Sequence, residues 1–167
     1  MSDMEIQLDP PNGITGFPIG MPAEAVKAAA GALGEIKVKD EDTHDDYHPM
    51  QVLALHPQFE INFVMEGAKT LESAEVWIPR PGSEEITVKF RELDVFRTPA
   101  LQLIQQIEEL GFTTLHDSPS YWFVPRLSLG FTRTAGHDVP LDTDGEPLYL
   151  QAVLVGPTDY YDYKLEK

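Results

Sequence analysis

One helix is written twice in this chain. Pro22-Ala23-Glu24-Ala25-Val26 runs on to Leu33-Gly34, and Pro99-Ala100-Leu101-Gln102-Leu103 runs on to Leu110-Gly111. Laid over one another without a gap, the stretches match Val26 with Leu103, Ala30 with Ile107, Leu33 with Leu110 and Gly34 with Gly111. In each copy proline stands at the opening, where its missing N–H is not needed, and glycine closes the helix by accepting a left-handed conformation. Both devices are common in unrelated helices, but a second segment recurs as well. Ala74-Glu75-Val76-Trp77-Ile78-Pro79 and Ala152-Val153-Leu154-Val155-Gly156-Pro157 come back at nearly the same offset. Self-similarity of this kind predicts an α+β fold of two tandem repeats, each a helix followed by antiparallel strands, with the helices packed on one face of the sheet. The repeats are expected at about 15–80 and 90–157, within a single compact domain spanning 1–167.

The residue pattern fills in that frame. Val26, Ala29, Ala30 and Leu33 share one face of the first helix, and Ala100, Leu103, Ile104, Ile107 and Leu110 form a wider stripe on the second, where Thr98 is placed to cap. Phe59–Phe63, Ile86–Phe90 and Leu127–Phe131 alternate apolar with other residues, as half-buried antiparallel strands do. Pro10, Pro11, Gly13, Gly16, Pro18 and Gly20 leave room for no more than a short strand before the first helix.

Twelve basic residues against 28 acidic ones give a formal net charge of −16. Phosphate backbones and anionic membranes repel such a chain, so neither nucleic acid nor a membrane is an expected partner, and a basic protein is. With no cysteine there is no disulfide framework and no thiolate chemistry. The N-terminus lacks the charged and apolar regions of a signal peptide, and no apolar run is long enough to span a bilayer, so a cytoplasmic protein is expected.

Chemistry-bearing residues are few. Asp40-Glu41-Asp42-Thr43-His44-Asp45-Asp46-Tyr47-His48 puts two histidines four apart, but poor helix formers and Pro49 oppose the helical geometry a metal would need. The segment reads as a solvated acidic loop open to a basic partner. Asp142-Thr143-Asp144-Gly145-Glu146 opens like a calcium loop, yet its glycine comes at the fourth position and Val153 occupies the twelfth, so a turn on Asp144-Gly145 is expected instead. No nucleophile elbow, phosphate loop or zinc-protease motif is present, His56, His116 and His137 stand apart from triad partners, and Glu84-Glu85 and Glu108-Glu109 diverge as sequence neighbours. No catalytic residue, metal or cofactor is assigned.

Two aromatic features point to protein contact. Tyr160, Tyr161 and Tyr163 interleave with Asp159 and Asp162, offering apolar area with polar tips or, alternatively, a dock for the tail on the core. Trp77 falls on the side of its strand away from Ala74 and Val76, hence on an open sheet face. The expected partner-binding set is Asp40, Glu41, Asp42, Asp45, Asp46, Tyr47, Trp77, Tyr160, Tyr161, Asp162 and Tyr163.

Ile19-Gly20-Met21-Pro22-Ala23-Glu24-Ala25-Val26, ending at Ala30-Gly31, resembles the helix opening of the beta-lactamase inhibitor proteins and related helix-plus-sheet repeat domains, though without that family's cysteines. The resemblance implies a concave surface that grips another protein. In charge and class the chain is also similar to the immunity proteins that neutralise polymorphic toxins. The expected function is a protein-binding inhibitor, an immunity protein covering a basic toxin or effector domain. A small-ligand or enzymatic domain with a cleft between the repeats, and an assembly subunit, are the alternatives.

Overall fold

Alternation of apolar and polar residues between Met50 and Trp77 builds the centre of a large sheet. The computed structural model describes residues 4–40, 49–66, 69–118, 120–134 and 140–161. Its N-terminal elements are β1 (Met4–Asp9), β2 (Gly13–Ile14), β3 (Phe17–Pro18), α1 (Ala23–Gly31) and β4 (Glu35–Lys39). Next come β5 (Met50–His56), β6 (Phe59–Glu66), β7 (Thr70–Trp77), β8 (Ile86–Phe90), β9 (Leu93–Asp94) and α2 (Ala100–Glu109). The last are β10 (Leu115–Ser118), β11 (Tyr121–Val124), a 3₁₀ turn (Pro125–Leu127), β12 (Leu129–Thr132) and β13 (Ala152–Val155).

Among the described residues, eight strands form one antiparallel sheet in the order β10-β11-β12-β13-β7-β6-β5-β4, and five form a second in the order β3-β2-β1-β8-β9. The middle of the large sheet is the β7–β13 pair, with Val76 opposite Val153 and Ala74 opposite Val155. On β6, Phe59, Ile61, Phe63 and Met65 are all buried while the residues between them are not. Each such side chain contributes about 1.5–3 kcal/mol by leaving water. Phe17 of the small sheet meets Phe63 at 4.3 Å between ring centroids, and Ile6, Leu8, Ile86, Val88 and Phe90 join the same apolar cluster. One face of the large sheet therefore looks into the core, and the other looks outward.

This architecture corrects the expectation of two helix-plus-sheet repeats with helices on one face. Among the described residues strand outweighs helix at 45% to 15%, and a second sheet takes strands from both sides of the first helix and the large sheet's first half. The two helices are not equivalent. Packing of α1 on β4, β5 and β7 uses its small residues Ala23, Val26 and Ala30, whereas α2 is tied through the Ala100 N–H to the Leu148 carbonyl at 2.7 Å, outside the strands. Gly111 does terminate α2 with φ +103°, but Gly34 keeps an ordinary φ; its lack of a side chain matters because a Cβ would stand 3.1 Å from the Leu55 carbonyl of β5. Proline and glycine at helix ends encode the ends and nothing about what the helix packs against.

Smaller expectations also shift. Pro22 and Pro99 occupy the capping position, where their carbonyls accept from Val26 and Leu103, and no side chain of these caps helps. Leu110 is exposed beyond the buried stripe of α2. The Leu127–Phe131 strand starts only at Leu129, because the 3₁₀ turn ends on Ser128 in the left-handed region. Ile86–Phe90 is a strand, but it pairs parallel with β1. Met4–Asp9 makes a full strand despite the breakers that follow it.

Candidate functional site

Side chains alternate across β7, so Glu75 and Trp77 face away from the buried Ala74 and Val76, on the same side as Ser73, which is itself buried. Register carries that outer face across the sheet. Asn62, Glu75 and Leu154 stand side by side in one row, continued by Leu53 and Lys37 on one side and by Gly130 and Phe123 on the other. Trp77, Ala152, Thr132 and Tyr121 stand in the next row. Trp77 is 39% exposed and Tyr121 48%, two large aromatics on one face about 14 Å apart by strand spacing. Lys37 and Lys39 mark the β4 edge, where charge discourages pairing with another chain.

At the centre of this face the polar groups are under strain of solvation. Burial pushes the Glu75 carboxyl above its usual range, and a hydrogen bond from the Trp77 side chain pulls it partly back. Asn62, its neighbour in register, has a side-chain oxygen that is shielded from water and has no hydrogen-bond partner among the described residues. A buried acceptor left unpaired costs about 1–3 kcal/mol. Leu53 and Leu154, both half-buried, flank the pair.

The other half of the face is covered by the chain itself. Gly130 and Gly156 have no side chains, and the space is filled by the Tyr161 and Tyr160 rings. Tyr161 packs on Phe123 at 4.8 Å and edge-on to Tyr160 at 4.9 Å, and it is buried. Its area is taken up by the sheet, so the docking role weighed for these tyrosines is the one its position gives. Tyr160 is half-buried beside it. Asp40 is exposed just past β4, while Glu41, Asp42, Asp45, Asp46, Tyr47, Asp162, Tyr163 and the histidines at 44 and 48 lie outside the described residues.

The Asp142 loop is a turn, as its sequence predicts. The Asp142 carboxylate accepts from the Asp144 and Glu146 N–H groups at 2.8 and 3.0 Å, and Gly145 has φ +82°. Its second oxygen pairs with the buried Arg133 at 2.8 Å, and Arg133 also donates to the Pro147 carbonyl at 2.7 Å. The Glu146 N–H first, then that of Asp144 and the Arg133 charge, hold the Asp142 carboxyl below its usual range. Among the described residues no group of three His, Asp or Glu is placed to hold a metal ion.

A cavity of about 170 Å³ lies between Pro79, Ser83, Phe96 and Arg97. Arg97 is already engaged there by the Ser83 and Ile86 carbonyls, Thr87 and Asp94. Arg80 at its rim bonds the His56 and Pro57 carbonyls and pairs with Glu60. These arginines staple the loop between the sheets. No helix among the described residues is long and apolar enough to cross a membrane.

No family model, curated protein or solved structure matches the chain. Sequence alternation placed Trp77 and Glu75 on one side of β7 but missed Asn62, Leu154 and Tyr121. Their signal is a polar or aromatic residue at an outward position of a strand, and it acquires meaning only once register sets the strands beside one another.

Proposed function

We propose that this chain is a cytoplasmic protein-binding inhibitor of the immunity type, covering a basic toxin or effector domain with the outer face of its eight-stranded sheet. One observation carries the reading: an exposed tryptophan stands beside a desolvated carboxylate and an unpaired, shielded amide oxygen on the outer face of the large sheet, in a chain with net charge −16. Aromatics supply binding area and acceptors supply orientation, while the overall charge attracts a basic surface.

The test is capture from a lysate of the source cell with the tagged chain, using Trp77→Ala as the control bait. A basic protein held by the native chain, and held about tenfold or more weakly by the variant, is the expected result. Capture that ignores Trp77, or no partner together with turnover of a small molecule by the purified chain, would contradict the proposal.

A further inference from the structure

The polar centre of the outer face has a specific chemical deficit. Asn62 contributes an oxygen acceptor with no donor, and Glu75, beside it in register, is a carboxylate whose one identified side-chain donor is Trp77. Directly opposite residues in an antiparallel pair hold their Cβ atoms about 4.5–5.5 Å apart, so one ligand group can span both once the Asn62 amide turns its shielded oxygen outward. The remaining neighbours on the row, Leu53 and Leu154, supply apolar walls and no donor. Of the other charged side chains at outward positions, Glu60 already pairs with Arg80, Glu35, Lys37 and Lys39 stand on β4 two strands beyond Asn62, and Glu66 lies at the far end of β6. The face is short of a cation at its centre.

The geometry points to an arginine side chain of the partner as the group seated here, its guanidinium donating to Asn62 and Glu75 with the Trp77 indole alongside. This rests on the protein-binding reading above and names what that face recognises. Guanidinium fits better than ammonium: it is planar, carries five donors in a fixed fork, is weakly hydrated, and packs on aromatic faces. The amide of half-buried Asn62 turns about its broad terminal torsion to bring the oxygen to such a donor. A cation at this position also favours the charged form of Glu75, which burial disfavours.

The experiment uses the purified chain and Nα-acetylarginine methylamide as probe, with the citrulline and lysine analogues as controls. Binding is followed by NMR through the Asn62 side-chain amide and the Trp77 indole. Saturable shifts confined to those groups are expected, about tenfold weaker for citrulline, weaker for lysine, and at least about tenfold weaker for Glu75→Gln. Asn62→Leu, checked for unchanged fold by circular dichroism, should lose the site as well. Equal affinity for arginine and citrulline, equal or tighter binding of lysine, shifts scattered over the acidic surface, or full binding by a folded Glu75→Gln would overturn the assignment. The two proposals fail separately: a captured partner that is indifferent to Glu75→Gln sinks only the arginine site, whereas an arginine site without a protein partner sinks only the inhibitor.

Discussion

Glu75 ties stability to pH in the direction opposite to an ordinary surface carboxylate. Its folded-state pKa is raised by burial above the unfolded value, so the folded chain binds its proton more tightly. The associated stability is complete below the unfolded pKa and is lost as pH rises through the folded one. Glu75→Gln keeps an acceptor for Trp77 without the charge. Urea titrations across this range should show the variant equal to or more stable than the native chain at neutral pH, with a flatter pH profile; an identical profile would contradict the assignment. A second residue-scale expectation concerns Gly130, where any side chain meets the Tyr161 ring. Gly130→Ala should cost about 1–3 kcal/mol by overpacking. Because Tyr161→Ala removes the same contact, the double variant should be less destabilised than the two single changes added together, and simple additivity in a urea double-mutant cycle would count against the docked tail.

Elements were legible wherever the information is local. The period-two alternation of Phe59-Glu60-Ile61-Asn62-Phe63 gave β6, and Gly111 marked the end of α2. What lay beyond reach was assembly. Nothing in Ile86-Thr87-Val88-Lys89-Phe90 announces a parallel partner at Met4–Leu8, because strand pairing is set by the whole sheet and not by the strand's own residues. The same limit hid the candidate site: Asn62 and Glu75 are ordinary outward residues until register makes them neighbours. The resemblance of two helix openings was real as spelling and misleading as architecture, since α1 lies on the large sheet and α2 does not take an equivalent place. At the β4 edge, Lys37 and Lys39 guard unpaired backbone groups. Replacing both with Thr should promote self-association, seen as a concentration-dependent rise in sedimentation coefficient; a strictly monomeric variant at every concentration would show that the lysines are not the guard.

At the scale of the whole molecule, 28 acidic residues against 12 basic ones set a long-range field, while the outer face of the large sheet carries exposed aromatic area and the unpaired Asn62 oxygen. In the proposed complex these act at different stages of binding: the field steers encounter, and the buried contacts govern departure. Neutralising Asp40, Glu41, Asp42, Asp45 and Asp46 to Asn or Gln should therefore slow association, and Trp77→Ala should mainly speed dissociation. The most direct test of an acidic inhibitor that covers a basic protein is binding kinetics with the captured partner at low and high salt. The association rate should fall steeply as salt screens the field while the dissociation rate changes little; an association rate indifferent to salt would contradict the account.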